Sequence, residues 1–291
     1  MIAIDWGTSS LRGYLLDDAG KVLEQRRSDQ GILAAAGRFA EVLLELVGDW
    51  PGDILLCGMI GSRNGWIELP YLPCPVDTPT LAQALQPHQD PRLPGRTLWF
   101  VPGVRNPLNA SAPDVMRGEE TQIVGLLPAL GPGRHHLVLP GTHCKWVEVE
   151  DGRIIDFVTT MTGELFALLR QHSLLGRLMD AGDALDEAAF ARGIERSGEP
   201  GGVGQHLFGV RALGLFEQLS SEAAPSYLSG LLIGHELRGR GLQRGAKVHL
   251  IGSPGLANRY RLALQMLGVA SELHAEALAA SGLQQLLASR R

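Results

Sequence analysis

The sequence predicts an α/β protein built as two similar domains, 1–130 and 131–291, facing each other. Three observations predict it. Short apolar strand segments alternate with stretches of helical spacing along the whole chain. At 291 residues the chain is long for a single core. And one pattern of strand, Gly-Thr turn, strand, Asp/Gly turn, strand occurs at the N-terminus and again past residue 135, an internal repeat that implies two related domains.

The first copy of the repeat begins with the apolar strand Met1-Ile2-Ala3-Ile4, which runs into Asp5-Trp6-Gly7-Thr8-Ser9-Ser10. The chain returns as Gly13-Tyr14-Leu15-Leu16 and turns at Asp17-Asp18-Ala19-Gly20, and a third strand is expected around Val22–Arg26. A helix is expected over 37–48, where Phe39, Val42, Leu43, Leu46 and Val47 share one face. The buried strand Ile54–Met59 then enters the glycine-bearing loop Ile60–Trp66. Residues 69–94 are rich in proline and read as an irregular, inserted loop. A strand at 97–101 follows, then a polar loop at 106–113 and a helix starting near Asp114. The segment Leu130-Gly131-Pro132-Gly133 marks the boundary.

In the second copy, His136-Leu137-Val138-Leu139 leads into Pro140-Gly141-Thr142-His143-Cys144-Lys145, and Trp146–Val149 turns at Glu150-Asp151-Gly152 and returns as Arg153–Val158. Helices are expected at 163–172, 183–192, 207–219 and 227–238. A last buried strand, Val248–Ile251, opens into Gly252-Ser253-Pro254-Gly255 and a helix near Asn258, and a further strand–helix unit spans 270–287.

Composition narrows the function classes. A net charge of −5 argues against a general binder of nucleic acid or anionic membranes. The three cysteines, Cys57, Cys74 and Cys144, are too few and too widely spaced for a disulfide framework or a zinc site, which suits a reducing cytoplasm. No secretory signal or membrane-spanning stretch is expected. Of the 26 basic residues only Lys21, Lys145 and Lys247 are lysine, so a lysine inside a motif stands out.

The two hairpin tips carry the chemistry. Each presents backbone N–H groups and hydroxyls, which suit phosphate oxygens. Gly7, Thr8 and Ser9 form the first tip, and Asp5 beside them can hold Mg²⁺ directly or through water. Gly141 and Thr142 form the second; Lys145 either offers a cation to a phosphoryl group or points outward, and His143 either donates a hydrogen bond or is structural. Gly252, Ser253 and Gly255 follow a buried strand, where glycines let a flat base lie on the backbone, although a plain strand–helix turn looks the same.

Three glycine turns in this order resemble the sugar-kinase, Hsp70 and actin superfamily. More narrowly, the chain resembles the 2-dehydro-3-deoxygalactonokinase family over essentially its whole length. The resemblance rests on Ile4–Ser9, Gly58–Trp66, Met116–Gln122 and Pro140–Trp146. It implies two actin-like (ribonuclease H-like) domains with mixed sheets flanked by helices and an active-site cleft between them. The first would hold the sugar acid and the first phosphate hairpin, and the second would hold the other hairpin and an adenosine loop. The implied reaction is transfer from ATP, with Mg²⁺, to the 6-hydroxyl of 2-dehydro-3-deoxy-D-galactonate.

A carboxylate substrate calls for an arginine, and Arg63, in the loop with Ser62, sits at the sheet end where ligands bind. Arg12, Arg105 and Arg117 are rivals, and Trp66 covers a sugar face or fills the core. The attacking hydroxyl needs a base near the start of a helix; Asp114 is the first candidate, though an aspartate there is also a helix cap worth about 1 kcal/mol. Glu119, with Glu120 beside it, is the alternative. A kinase for another sugar acid or an amino sugar, and a nucleotide-dependent assembly or sensor protein, are the competing readings. The second-half helices leave room for a homodimer.

Overall fold

The computed structural model describes residues 1–275 and 278–290. The chain forms two compact units: Met1–His135 with Val147–Val158 and the C-terminal segment from Ala275, and His136–Trp146 with Thr159–His274.

The first unit is built on β1 (Ile2–Trp6), β2 (Leu11–Leu16), β3 (Val22–Ser28), α1 (Phe39–Val47) and β4 (Ile54–Gly58). Next come β5 (Tyr71–Pro73), β6 (Val76–Asp77), α2 (Thr78–Gln83), β7 (Gln86–His88), β8 (Leu98–Phe100), β9 (Gly103–Arg105), β10 (Val115–Met116) and α3 (Glu119–Leu130). The main sheet runs β3-β2-β1-β4-β8-β7, mixed in direction: β1 is antiparallel to β2 and parallel to β4. β1 and β4 are central because both faces are mostly apolar: Ile2, Ile4, Trp6, Ile54 and Leu56 are fully buried on one, and Ala3, Leu55 and Cys57 are buried on the other, where Asp5 is the exception. The apolar stripe of α1 (Val42, Leu43, Leu46, Val47) closes this core.

Two expectations need correcting. Residues 69–94 are not irregular: they carry β5, β6, α2 and β7. Pro73 and Pro87 sit in short strands and Pro79 in the first turn of α2, where the backbone tolerates proline; that helix's N-cap, Asp77, accepts the Thr80 N–H at 2.9 Å. Nor does a helix start at Asp114. Val115 and Met116 pair with Arg105 and Val104 as a strand. Asp114 is held back by its N–H bond to Asn106 Oδ1 (2.9 Å), and the helix begins only after Gly118, whose φ of +109° suits glycine.

The later elements are β11 (Arg134–Leu139), β12 (Cys144–Glu150), β13 (Arg153–Thr160), α4 (Thr162–His172), α5 (Glu187–Arg196), α6 (Gly202–Leu215) and α7 (Ala224–Gly239). They end with β14 (Lys247–Ile251), α8 (Pro254–Met266), β15 (Ala270–His274) and α9 (Leu278–Arg290). Their sheet runs β15-β14-β11-β12-β13-β6. Its first five strands, read inward from β13, follow the order of hairpin, central strand and two further strands found in the first sheet, so the sequence repeat is also a repeat of topology. Val138, Val248, Leu250, Phe190 and Ile233 form the second unit's core, where Glu236 accepts from Trp146 Nε1 (2.6 Å) and Tyr260 Oη (2.8 Å). The three cysteines are buried and free. Among the described residues no helix is long and apolar enough to cross a membrane.

Candidate active site

In the first unit the tip between β1 and β2 is closed by the Gly7 N–H donating to the Ser10 carbonyl at 2.9 Å. Thr8 and Ser9 are exposed there. The turn is braced from outside. Ile32 N–H donates to Gly7 O, and a Cβ on Gly31 would lie 2.2 Å from Thr8 O, so only glycine fits. Asp5 sits one residue from the end of β1, opposite Arg12 in register and 4.0 Å from its guanidinium. The carboxylate keeps about a fifth of its surface open, at 19 % exposure.

The start of α3 lies against the same strand ends. A Cβ on Gly118 would come within 3.1 Å of Gly58 Cα, and one on Gly58 within 3.4 Å of Asp5 Oδ1. The helix's first two residues are therefore Glu119 and Glu120, and they differ sharply. Glu119 is half-buried and its Oε2 accepts the Arg117 N–H at 3.1 Å. Glu120 is fully buried, with its oxygens taken by Gly118 N–H (2.6 Å) and Thr121 Oγ1 (2.9 Å). Burial, then the neighbouring Glu119 charge, pushes the Glu120 carboxyl up to about 8, so it holds its proton at neutral pH.

The candidates for the acid's carboxylate fall into separate environments. Arg63 is exposed, and its neighbour in sequence, Ser62, is buried with its Oγ unpartnered. Arg117 is internal: its Nη2 donates to Leu69 O at 2.7 Å and its guanidinium stacks on Tyr71 at 4.3 Å, while Nε and Nη1 are buried and unpartnered. Arg105, in β9, also keeps its Nε buried and unpartnered. Arg12 is engaged with Asp5. Trp66 is partly buried and packs with Phe39, Phe100 and His88 at centroid separations of 6.2, 6.1 and 5.9 Å, on the margin of the core.

In the second unit the turn Gly141-Thr142-His143 is braced in the same way. The Glu164 N–H donates to Thr142 O at 2.9 Å, and a Cβ on Gly163 would lie 2.2 Å from Gly141 O. Thr142 is exposed. His143 is paired through Nε2 with the Glu164 carboxylate, on α4. Lys145 does not point outward: it is buried in β12, and its ammonium donates to Thr159 Oγ1 at 2.8 Å. The third glycine turn comes close to this one, since a Cβ on Gly252 would lie 3.4 Å from Pro140 O. Ser253 and Gly255 are exposed at the start of α8.

A cavity of about 160 Å³ ties these parts together. Gly141, Thr162 and Gly163 line one side, Leu256, Arg259 and Tyr260 another, and Phe166, Leu232 and Ile233 supply apolar surface. Pockets that enclose a whole drug-sized ligand run to about 300–1,000 Å³, so this one suits a fragment such as a single ring. Sequence reasoning missed Gly31, Gly163, Phe166 and Arg259. The first two had a signal: each lies three residues after the third strand of its repeat.

Comparison with known proteins agrees with this architecture. Residues 5–286 match the sequence profile of the 2-keto-3-deoxy-galactonokinase family. A Rhizobium meliloti protein named as a probable 2-dehydro-3-deoxygalactonokinase is 38% identical over 277 residues, covering 92% of this chain and 89% of its own. The 2-dehydro-3-deoxygalactonokinase of Escherichia coli is 37% identical over 276 residues, covering 92% and 90%. A crystal structure of a Sinorhizobium meliloti protein with that designation superposes with a TM-score of 0.89 at 36% identity, over 98% of this chain and 95% of the other. Component A of an Acidaminococcus fermentans (R)-2-hydroxyglutaryl-CoA dehydratase shares the fold alone, with a TM-score of 0.51 at 11% identity.

Proposed function

The chain belongs to the 2-keto-3-deoxy-galactonokinase family of carbohydrate kinases, and from that premise we propose how its two units divide the transfer of a phosphoryl group from ATP to the 6-hydroxyl of 2-dehydro-3-deoxy-D-galactonate. The family implies ATP as donor and a sugar acid as acceptor. We assign nucleotide binding to the second unit. The supporting observation is the approach of Gly252 to the Gly141-Thr142 turn beside a cavity that both α4 and α8 line. Exposed Thr142 and the turn's N–H groups bind phosphate oxygens, and the apolar wall of Phe166, Leu232, Ile233 and Leu256 takes the flat base.

The first unit supplies charge and the acceptor. Asp5 is a partly open carboxylate at the end of the strand that leads into the turn carrying Thr8 and Ser9, and a carboxylate with hydroxyls suits Mg²⁺, which keeps several waters and takes one or two carboxylates. The ion would neutralise charge on the phosphates. Glu119 is the proton acceptor for the attacking hydroxyl: it opens α3 beside the Asp5 strand end and is only half-buried. Asp114 is displaced from this role because it precedes a strand and its carboxylate accepts the Val115 N–H at 2.7 Å. Glu120 holds its proton at neutral pH and cannot accept another. Exposed Arg63, next in sequence to Ser62 with its unpartnered hydroxyl, binds the substrate carboxylate. Buried, free cysteines fit a reducing, cytoplasmic setting.

ADP release with Mg²⁺ and ATP tests the reading, run with the galactonate-series acid, its gluconate epimer and neutral hexoses. Stimulation by the galactonate acid is expected. Stimulation by a neutral hexose alone would overturn the acid assignment, and Arg63→Ala leaving the acid's KM unchanged would overturn the role of Arg63.

A further inference from the structure

The outer edge of the second unit's sheet carries a polar column. β14 and β15 are parallel neighbours, with His249 opposite Glu272 and Ile251 opposite His274. Alternation along β15 puts Glu272 and His274 on one face, and register puts His249 on that same face. The opposite face of β14 carries Val248 and Leu250, both fully buried in the core. One nitrogen from each imidazole and one carboxylate oxygen lie within 4.8 Å of one another. His249 Nδ1 is 2.9 Å from His274 Nε2 and 3.9 Å from Glu272 Oε2.

We propose that His249, Glu272 and His274 form a site for a divalent transition-metal ion of the zinc class, held between the edge strand β15 and its neighbour β14. Two imidazoles and one carboxylate are the donor set such ions prefer over Mg²⁺ or Ca²⁺. Tetrahedral bonds of 2.0–2.1 Å hold neighbouring ligand atoms about 3.3 Å apart, so the imidazoles need open only by a few tenths of an ångström. His249 is nearly buried and fixed by its strand, whereas Glu272 is exposed, which leaves an entry path and a fourth position for water.

One neighbour competes. The Lys247 ammonium lies 2.6 Å from Glu272 Oε2 and occupies the place on that oxygen which a metal would take. A decorative edge ion pair and a metal site therefore predict different effects of removing Lys247. An edge pair is a common device against strand-to-strand aggregation, and its loss does nothing for metal affinity. In a metal site, losing the lysine frees the carboxylate and binding tightens.

The experiment is calorimetric titration of the chelator-treated, full-length protein with ZnCl₂, with Co²⁺ absorption as a second readout of coordination. One equivalent of Zn²⁺ and the visible bands of four-coordinate Co²⁺ are expected. His274→Ala and Glu272→Gln, both on the edge strand and tolerant of change, should weaken binding at least about tenfold, as losing an outer-shell partner alone costs 10–100-fold. Lys247→Met should tighten it. His235→Ala, which alters the other histidine pair (His206 Nδ1 to His235 Nε2, 3.0 Å), should leave it unchanged. Absence of a saturable equivalent, unchanged affinity in His274→Ala, no gain in Lys247→Met, or loss in His235→Ala would each overturn the site.

Discussion

In the first unit the Gly-Thr turn follows Ile4-Asp5-Trp6, and in the second it follows Val138-Leu139-Pro140. With the two Gly-Thr pairs aligned, Asp5 falls opposite Leu139, a carboxylate against a methyl-bearing chain. The scaffolds otherwise correspond: an antiparallel return strand, a third strand, and a glycine three residues beyond it that touches the turn's carbonyls, Gly31 in one case and Gly163 in the other. The cation near the start of each return strand has diverged as well. Arg12 faces Asp5 across the hairpin, while Lys145 turns to Thr159 in the interior. One scaffold thus presents a charged tip and a neutral one. On the proposed reading, that difference gives charge handling and chemistry to the first turn and nucleotide holding to the second.

If that division is right, the largest losses of rate arise from first-unit carboxylates. Glu119→Gln should lower kcat by about 10²–10⁴-fold with substrate KM values little changed, because it removes a general base. Asp114→Asn should remain near wild type. The opposite ranking in steady-state kinetics returns the base to Asp114. Asp5→Asn should cost about 10²–10³-fold in kcat, the scale of losing one preorganised electrostatic group.

The neutral turn should respond differently. Thr142→Ala removes one hydrogen bond to a charged phosphate, worth about 1.5–3 kcal/mol, and should raise the KM for ATP roughly ten- to hundredfold while the acid's KM stays put. A kcat loss without a KM change would break the comparison. The bracing glycines sharpen it further. A Cβ at Gly31 or Gly163 meets backbone oxygen at 2.2 Å in both cases, so alanine at either should destabilise by a similar amount, about 1–3 kcal/mol. Chemical denaturation of the two variants would show unequal losses if only one turn depends on its glycine.

Much of this was legible in the chain because it is written in local chemistry. Gly-Thr after an apolar strand marked both turns, and matching strand–turn–strand spacing marked the repeat. What escaped depends on distance along the chain. Asp114 looks like a helix start because it follows Pro113 and precedes an apolar run, yet Asn106, eight residues back, ties its backbone into a loop. Trp66 packs with Phe39, His88 and Phe100, and the Lys145 ammonium donates to Thr159, and no local pattern announces those partners. The two adjacent glutamates are alike in sequence. Only the packing at the strand ends separates a half-open acid from a sealed one.

That separation gives the mildest of the effects, a dependence of stability on pH. The Glu120 carboxyl titrates near 4.5 in an open chain and at about 8 when folded, because burial disfavours its charged form. Between those values the folded protein holds a proton that the unfolded chain has released. The stability this proton provides is fully present below about pH 4.5 and is lost progressively as pH rises through about 8. Glu120→Gln keeps the acceptor for the Gly118 N–H and carries no titrating proton. The variant should therefore match wild type near pH 5, exceed it at pH 8.5, and flatten the fall in Tm between them. Parallel slopes for the two proteins would mean that Glu120 is ionised when folded, leaving two adjacent anions at the start of α3 and Glu119 without its distinction as the proton acceptor.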